Sequence, residues 1–195
     1  MAEVFVTSLD FDGVLAHGLA LKRKYAKEWF GVDLELEQTK APGFDALMKK
    51  LGKPHNYRSL MDPINEQHIM EYEIPKDCIP VLEKLHSEGF RFVVSTYRSA
   101  HDYPYAVQFV EAKFGRLVDG IYNSSSPNKK ETMEKVKPKI HVDDDLSKLV
   151  LLEGCSVERA YYRQPENKGQ ETNDKRILQV NSFEEIADVV RRLAA

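Results

Sequence analysis

The sequence predicts an α/β fold in which helices cover both faces of a central, mostly parallel five-stranded sheet. Short β-branched and aromatic runs alternate along the chain with segments whose apolar residues recur at helical spacing. One stretch, residues 16–77, has helical patterns but no convincing strand, which predicts a small helical insertion after the first strand. The expected architecture is therefore a Rossmann-like three-layer sandwich with a small helical cap.

The predicted strands are five short apolar runs. The first covers residues 4–9 and stops at a carboxylate, and the second covers residues 90–95 and stops at hydroxyl side chains. The other three candidates are weaker and cover residues 117–122, 139–142 and 157–162. Parallel strands of this length are typical of a sheet that is buried on both faces.

The segments between these strands carry helix start and stop signals. In segments 79–85 and 107–114 apolar residues recur at helical spacing, with a proline near the start and a glycine after the end. Residues 182–185 form a capping-box pattern, and one apolar stripe follows them. These patterns predict helices that pack against the sheet.

The stretch of residues 16–77 is predicted to be a separate helical unit. Its helical patterns are divided by pairs that contain proline or glycine. They cover three segments, residues 19–30, 44–51 and 63–72. We therefore predict a core made of residues 1–15 and 78–195, with residues 16–77 inserted into it.

Composition and charge narrow the classes of partner. With 28 basic and 31 acidic side chains the net charge is −3, so a nucleic-acid polymer is not an expected partner. No apolar run approaches the roughly 18 residues that a membrane span needs, and no signal peptide is predicted. Cys78 and Cys155 are too far apart in sequence for a disulfide framework or a zinc motif. These features predict a cytoplasmic protein without a membrane partner, and they indicate no particular oligomeric state.

Charged and hydroxyl residues stand where the predicted strands end. Asp10 and Asp12 follow the first strand, and Thr96 ends the second. Residues 129–130 are lysines that precede the fourth strand, and residues 143–145 are aspartates that end it. Because ligands of parallel sheets bind beyond the carboxyl ends of the strands, we expect these groups to lie close together.

This set of residues is suited to phosphoryl transfer. Asp10 and Asp12 flank one residue, so in an extended segment their side chains share a face. The carboxylates repel each other unless a cation intervenes, and Mg²⁺ is the usual cation beside a phosphate. An aspartate can then attack the phosphoryl group while a lysine and a hydroxyl hold its oxygens. The sequence therefore predicts an enzyme that uses Mg²⁺ as its cofactor and acts on a small phosphorylated substrate.

The same residues resemble the motifs of a known superfamily. Residues 10–15, Asp-Phe-Asp-Gly-Val-Leu, resemble the first motif of the haloacid dehalogenase-like superfamily. Residues 93–96 resemble its second motif, a strand that ends in Thr or Ser. Lys129 or Lys130 corresponds to its third-motif lysine, and residues 140–144 resemble its acidic fourth motif. The four motifs occur in the superfamily's order across most of the chain.

The resemblance implies a role for each matching residue. Asp10 would be the nucleophile that becomes an aspartyl phosphate, and it would also bind the metal. Asp12 would be the general acid for the leaving group and the base for the attacking water, with its backbone carbonyl on the metal. Thr96, favoured over Ser95 by the Thr-x-Arg spacing, would hold the phosphoryl group. Residues 16–77 would be the type-one cap that selects the substrate of the catalytic core.

Three positions keep alternatives open. The phosphate-binding lysine is Lys130 or Lys129, and Lys130 is favoured by a spacing to the fourth strand that suits an intervening helix. The remaining metal ligand is Asp143 or Asp144. Arg98 either holds a phosphate or a carboxylate, or covers the edge of the sheet.

The predicted function is a phosphatase that hydrolyses a small phosphate monoester. Segments 103–106, 110–115, 161–167 and 180–183 resemble the small 5′(3′)-deoxyribonucleotidases, which indicates a nucleotidase. A phosphotransferase or phosphomutase would share the same site residues. A dehalogenase on this fold would need neither Asp12 nor a dication, and a regulatory protein would have lost a catalytic group.

Overall fold

The computed structural model describes residues 4–164, 167 and 170–195. Its strands are β1 (Val6–Leu9), β2 (Arg91–Thr96), β3 (Ile121–Asn123), β4 (Ile140–Asp143), β5 (Glu158–Tyr162) and β6 (Ile177–Val180). Its α-helices are α1 (Leu19–Phe30), α2 (Ala41–Lys50), α3 (Tyr57–His68), α4 (Cys78–Ser87), α5 (Tyr103–Phe114), α6 (Lys130–Val136), α7 (Leu146–Leu151) and α8 (Phe183–Ala194). Three short 3₁₀ helices cover Leu36–Thr39, Ile69–Glu71 and Gly115–Leu117.

The strands form one open sheet in the order β3-β2-β1-β4-β5-β6. Every pairing is parallel, and the helices between the strands flank the sheet. The predicted α/β class and Rossmann-like architecture are confirmed. Within the described residues the sheet has six strands rather than the predicted five, because Ile177–Val180 pairs with β5 as an edge strand. A run of four residues with a single pairing partner carries little sequence signal of its own.

The predicted inserted helices are present and pack on one another. Helix α1 has the predicted bounds and ends at Gly31, whose φ of 66° lies in the left-handed region that favours glycine. Helix α3 begins after the capping residue Asn56, so Pro63 lies inside the helix and does not divide two helices as the sequence pattern predicted. The buried side chains of Leu60 and Ile64 on either side of Pro63 hold this part of α3 in place.

A backbone bridge, here called the clip, joins His17 and Glu73 near the two ends of the predicted insertion. His17 and Glu73 form an antiparallel bridge, with His17 N donating to Glu73 O at 2.8 Å and Glu73 N donating to His17 O at 3.2 Å. The two connections between the inserted helices and the sheet therefore run side by side. This pairing lies close to both ends of the predicted insertion, residues 16–77.

No helix among the described residues is long and apolar enough to cross a membrane. The polar segment of residues 164–174 includes residues 165, 166, 168 and 169, which lie outside the described part of the chain. The described residues Gln164 and Asn167 of this segment are buried, and they reach toward the ends of β1 and β4.

Candidate active site

Sheet order and register place the residues that follow three neighbouring strands at one edge. Leu9, the last residue of β1, is level with Val94 of β2 on one side and with Val142 of β4 on the other. From β1 the chain adds β2 and β3 on one side of the sheet, and it then adds β4, β5 and β6 on the other side. The strand order thus reverses between β1 and β4, and crevices at such points are the usual ligand sites of open parallel sheets. Asp10 and Asp143 each follow directly on this aligned row.

Asp10 is buried and only partly compensated by positive charge. Its Oδ1 accepts hydrogen bonds from the Phe11 backbone N–H at 2.8 Å and from Lys129 Nζ at 2.8 Å. Its Oδ2 is also buried, and it has no hydrogen-bond partner among the residues that the structure describes. The pKa of Asp10 is raised by burial and by the neighbouring Asp143, because both disfavour the ionised carboxylate.

The lysine that contacts Asp10 is Lys129, whereas the sequence spacing favoured Lys130 as the phosphate-binding lysine. The Lys129 side chain is 1% exposed, and its Nζ lies 2.8 Å from Asp10 Oδ1 and 2.6 Å from Asp143 Oδ2. Lys130 is half-buried at the first position of α6, and no ion pair involves it within residues 4–164, 167 and 170–195. The spacing argument assumed that the lysine belongs to the helix, whereas Lys129 precedes it.

Lys129 reaches the carboxylates through an uncommon backbone conformation. It caps α6 with a φ of 54°, in the left-handed region that residues with a side chain seldom adopt. Such strain costs about 1–3 kcal/mol and persists where the surrounding contacts fix the residue. Here the two carboxylate contacts of the buried ammonium group supply that constraint.

Asp143 is fully enclosed and has a partner on each oxygen. Its Oδ1 accepts from the Asp145 backbone N–H at 2.9 Å, and its Oδ2 accepts from Lys129 Nζ at 2.6 Å. His141 Nε2 lies 3.4 Å from the same Oδ2, and His141 Nδ1 is 3.0 Å from Ser8 Oγ. Burial alone would raise the pKa of Asp143, but Lys129 and His141 outweigh it, so the pKa is lowered.

The negative charge of Asp144 is less well compensated than that of Asp143. Gln164 Nε2 donates to its Oδ2 at 3.2 Å and also to the backbone carbonyl of Gly13. Burial raises the pKa of Asp144 well above its usual range, and Asp143 and Asp10 raise it further. Gly13 passes so close that a Cβ there would lie 2.4 Å from the Asp144 carboxylate, and its φ of 81° also favours glycine.

A divalent cation fits between these carboxylates. Asp10, Asp143 and Asp144 each offer an oxygen, and these ligand atoms lie within 4.8 Å of one another. The unpartnered Oδ2 of Asp10 and the raised pKa of Asp144 both show a local shortage of positive charge. Oxygen ligands of this kind suit Mg²⁺. The predicted metal ligands of the two acidic motifs are thus close together, and the Asp12 carbonyl stays a predicted fourth ligand.

Asp12 is held by Arg98 instead of by a lysine. Arg98 donates from Nε at 3.0 Å and from Nη2 at 2.5 Å to the two oxygens of Asp12. The guanidinium lies over the Phe11 ring, 4.6 Å from its centroid, and the Arg98 side chain is 6% exposed while that of Asp12 is 47% exposed. Burial favours a higher pKa for Asp12, but Arg98 outweighs it and the pKa is lowered. Of the roles left open for Arg98, the structure supports the one of holding a carboxylate.

The hydroxyls at the end of β2 are both buried. Neither Ser95 Oγ nor Thr96 Oγ1 has a hydrogen-bond partner in the described part of the chain. An unpaired buried hydroxyl is costly, so a bound ligand that accepts its hydrogen bond would be favoured. The choice of Thr96 as the phosphate-binding hydroxyl stays a prediction.

Two cavities lie on either side of Asp12 and Lys22. A smaller one of about 170 Å³ is also lined by Lys40, Asp144 and Lys148. A larger one of about 300 Å³ lies between α3 and the segment that follows β2, and its lining residues include Tyr57, Arg58, Asn65, Tyr97, Arg98 and Asp102. Both cavities combine residues of the inserted helices with residues of the sheet edge.

Several residues near the cluster were not predicted from the sequence. Lys148 Nζ lies 3.6 Å from Asp10 Oδ2, and Asn167 Nδ2 donates to the Asp144 carbonyl at 3.0 Å. His141 and Gln164 contact Asp143 and Asp144 as described above. Lys148 lies in the first turn of α7, four residues after Asp144. Gln164 and Asn167 come from a polar loop with no periodic pattern.

Comparisons with known proteins agree with this fold. No family model and no curated protein matches the chain. Solved structures do match: YfnB of Bacillus subtilis, solved with bound magnesium, has 12% identity and a TM-score of 0.68 over 97% of this chain and 99% of its own. CbbY of Rhodobacter sphaeroides, solved with phosphate, has 17% identity and a TM-score of 0.62 over 94% and 96%. A haloacid dehalogenase-like family hydrolase of Xanthomonas campestris has 12% identity and a TM-score of 0.64 over 97% and 96%.

The chain has the haloacid dehalogenase-like fold. At these identities the likeness establishes the fold, while the chemistry depends on the residues of this chain. Within this fold, Asp10, Lys129, Asp143 and Asp144 meet at the carboxyl edge of the sheet, and the strand that ends in Thr96 lies beside the one that precedes Asp10.

Proposed function

We propose that this protein is a Mg²⁺-dependent phosphatase that hydrolyses a small phosphate monoester through an aspartyl-phosphate intermediate, in the cytoplasm. The observation that carries the proposal is the surroundings of Asp10. One of its oxygens is bound to Lys129, and the other is buried without a hydrogen-bond partner among the described residues. Asp143 and Asp144 stand within metal-binding distance of it. A carboxylate held this way is suited to attack a phosphorus atom beside a cation.

The two aspartates of the first motif divide the covalent steps. Asp10 Oδ2 attacks the phosphorus, the bond from phosphorus to the ester oxygen breaks, and the departing alkoxide takes a proton from Asp12. To carry that proton, Asp12 must first take it from solvent and leave its ion pair with Arg98. Asp12, now ionised and paired with Arg98, then accepts a proton from water. That water attacks the phosphorus of the aspartyl phosphate, so inorganic phosphate leaves and Asp10 is restored.

The remaining residues stabilise charge. Lys129 and Thr96 would bind phosphoryl oxygens from the core. Asp10 and Asp144 would hold Mg²⁺, because both oxygens of Asp143 already accept hydrogen bonds from Asp145 and Lys129. When bound, Mg²⁺ would neutralise charge on the phosphoryl oxygens.

We propose that residues 16–77 act as the cap and select the substrate, while residues 1–15 and 78–195 form the catalytic core. The cavity of about 300 Å³ between α3 and the sheet edge is large enough for the alcohol part of a small ester. Tyr57 and Tyr97 line it together with polar side chains, which supports a ring-shaped group and hence a nucleotidase as the finer proposal. Among the structural neighbours, CbbY was solved with xylulose-(1,5)bisphosphate, a small phosphorylated ligand.

Hydrolysis of a generic aryl phosphate tests the reaction. We expect Mg²⁺-dependent release of phosphate that EDTA stops and that the Asp10→Asn variant lacks, since this change removes the attacking carboxylate. A panel of nucleotides, phosphorylated sugars and phosphoamino acids then identifies the substrate. If the wild-type protein with Mg²⁺ hydrolyses no member of this panel, the phosphatase proposal is wrong. Release of chloride from a chloroacid without metal would identify a dehalogenase instead.

Matched esters test the nucleotide preference. A nucleoside 5′-monophosphate and ribose 5-phosphate share the leaving oxygen and differ in the base. A nucleotidase should hydrolyse the nucleotide with a higher kcat/KM, and the Tyr97→Ala variant should lose this advantage while keeping its rate with ribose 5-phosphate. Equal kcat/KM values for the two esters in the wild-type protein would contradict the nucleotidase proposal and leave the phosphatase proposal in place.

A further inference from the structure

We propose that Lys148 is a second phosphoryl-binding residue. Without a substrate, its ammonium group repels the metal cation; with the cation and the substrate both bound, it bonds to the phosphoryl group. This inference rests on the proposed function and assigns a role to a residue outside the four sequence motifs. Removing Lys148 should therefore change the two affinities in opposite directions: metal binding becomes stronger and phosphate binding becomes weaker.

The position of Lys148 carries the inference. Its Nζ lies 3.6 Å from Asp10 Oδ2 and 4.0 Å from Asp143 Oδ1. Asp10 Oδ2 is the buried oxygen that has no hydrogen-bond partner within the described ranges. The ammonium group is therefore next to the attacking oxygen but beyond hydrogen-bond distance, which leaves it able to bond to a group that arrives beside both atoms.

Lys148 also faces the space that a substrate must enter. Its side chain is 26% exposed and lines the cavity of about 170 Å³ together with Asp12 and Asp144. Lys129, by contrast, is 1% exposed and is engaged with Asp10 at 2.8 Å and Asp143 at 2.6 Å. Lys129 thus acts as the permanent counter-ion of the buried carboxylates, and Lys148 is the lysine on the cavity side.

The charges of the cluster explain why a bound cation and the ammonium group of Lys148 repel each other. Asp10, Asp143 and Asp144 bring three potential negative charges within 4.8 Å, and Lys129 and Lys148 bring two positive charges to them. A dication bound to these oxygens would be repelled by the nearby ammonium group of Lys148. A phosphoryl group with its negative oxygens would relieve this repulsion, since it binds to the cation and to Lys148 together.

Direct binding measurements on Lys148→Gln and Lys148→Arg test the inference without turnover. Binding of Mn²⁺ alone is measured from the signal of free Mn²⁺ in electron paramagnetic resonance. Binding of inorganic phosphate is measured by calorimetry with Mg²⁺ saturating for each variant. Lys113→Gln, an exposed lysine on α5 far from the motifs in sequence, is the matched control for a change of one charge.

The expected result is opposite for the two ligands. Lys148→Gln should bind Mn²⁺ about tenfold more tightly, because a like charge near the dication is gone. It should bind phosphate about 10- to 100-fold more weakly, because a charge-assisted hydrogen bond is lost. Lys148→Arg should restore phosphate binding, and Lys113→Gln should match the wild-type protein for both ligands.

Other outcomes overturn the inference. Unchanged phosphate affinity in Lys148→Gln would show that Lys148 is only a counter-ion of Asp10, and weaker Mn²⁺ binding would show that it supports the metal site. In either case the phosphatase proposal stands if the wild-type protein hydrolyses phosphate esters. Should the wild-type protein bind neither Mn²⁺ nor phosphate, both proposals are wrong. Melting temperatures of all variants separate these results from a failure to fold.

Discussion

The surroundings of Asp10 and of Asp12 differ sharply, although one residue separates them in sequence. Asp10 shares two lysines with Asp143, and its pKa is raised by burial and by Asp143. Asp12 forms a two-point ion pair with Arg98, and its pKa is lowered although partial burial acts in the opposite direction. Around Asp10 the carboxylates outnumber the positively charged side chains, whereas Asp12 is matched by the positive charge of Arg98.

The difference separates the tasks of the two carboxylates. A cation has an electrostatic reason to bind beside Asp10, where carboxylates outnumber their partners, and no comparable reason to bind the side chain of Asp12. Asp12 faces the cavities and lies between the sheet edge and the inserted helices. This placement supports the proposed exchange of protons between Asp12 and a leaving group or a water. Substitutions on each side can separate these two environments.

Removing Lys129 should have the largest effect, because it leaves Asp10 and Asp143 buried without their shared counter-ion. We expect Lys129→Met to lower the free energy of unfolding by about 3–5 kcal/mol and to abolish phosphatase activity. Denaturant unfolding and aryl phosphate turnover measure the two effects. Lys130→Met is the matched control, and its free energy of unfolding should stay within about 0.5 kcal/mol of wild type. If Lys130→Met had the larger effect, the assignment of Lys129 would be wrong.

Removing Arg98 tests the Asp12 side. Arg98→Met should lower kcat/KM about 100-fold, because Asp12 loses the partner that fixes its position and stabilises its ionised form. Arg98→Lys keeps the charge but cannot bond to both oxygens in the same geometry, so its activity should lie between those of wild type and Arg98→Met. Metal affinity should be unchanged in both variants. A loss of metal affinity in Arg98→Met would mean that the two sides are not independent.

Removing the Gln164 amide tests the metal side at a distance from the reacting atoms. Gln164 donates to the Asp144 carboxylate and to the Gly13 carbonyl, so it orients a proposed metal ligand. We expect Gln164→Leu to weaken Mg²⁺ binding about 10- to 100-fold. At saturating Mg²⁺ the variant should reach a kcat close to that of the wild-type protein. The exposed Gln179 provides the control variant Gln179→Leu. A low kcat at every Mg²⁺ concentration would contradict a positioning role.

The smallest expected effect concerns pH and His141, which is buried beneath the carboxylate cluster. Burial lowers the pKa of His141, so the unfolded chain binds a proton at a higher pH than the folded protein does. The contribution of His141 to stability is therefore complete above the ordinary histidine pKa of about 6.5 and declines as the pH falls below it. Melting temperatures of wild type and His141→Asn from pH 8 to pH 5 measure the effect. The wild-type protein should lose more stability over this range than the variant.

The sheet edge was predictable because strand ends carry a strong signal. A short apolar run that stops at Asp10, another that stops at Thr96 and a third that stops at Asp143 suffice to place three groups together, since parallel strands share one carboxyl edge. The choice of Lys129 over Lys130 was not predictable, because it depends on a single left-handed residue before α6.

Contacts between distant segments were also beyond the sequence pattern. The pairing of Arg98 with Asp12 joins positions 86 residues apart, and the Gln164 contact with Gly13 joins positions 151 residues apart. Neither contact follows from periodicity or local propensity, because each depends on how loops fold over the finished sheet. The edge strand β6 was missed for a similar reason, as its four residues are defined by pairing with β5.

The clip between His17 and Glu73 has a consequence for how such proteins diversify. Because the chain leaves and rejoins the sheet at two hydrogen-bonded positions, the helices between them can be exchanged for another unit without changing the distance that the sheet must span. Under the proposal that residues 16–77 select the substrate, the reaction chemistry and the choice of substrate would lie in separable stretches of sequence. Selection could then replace one of them while the other is kept.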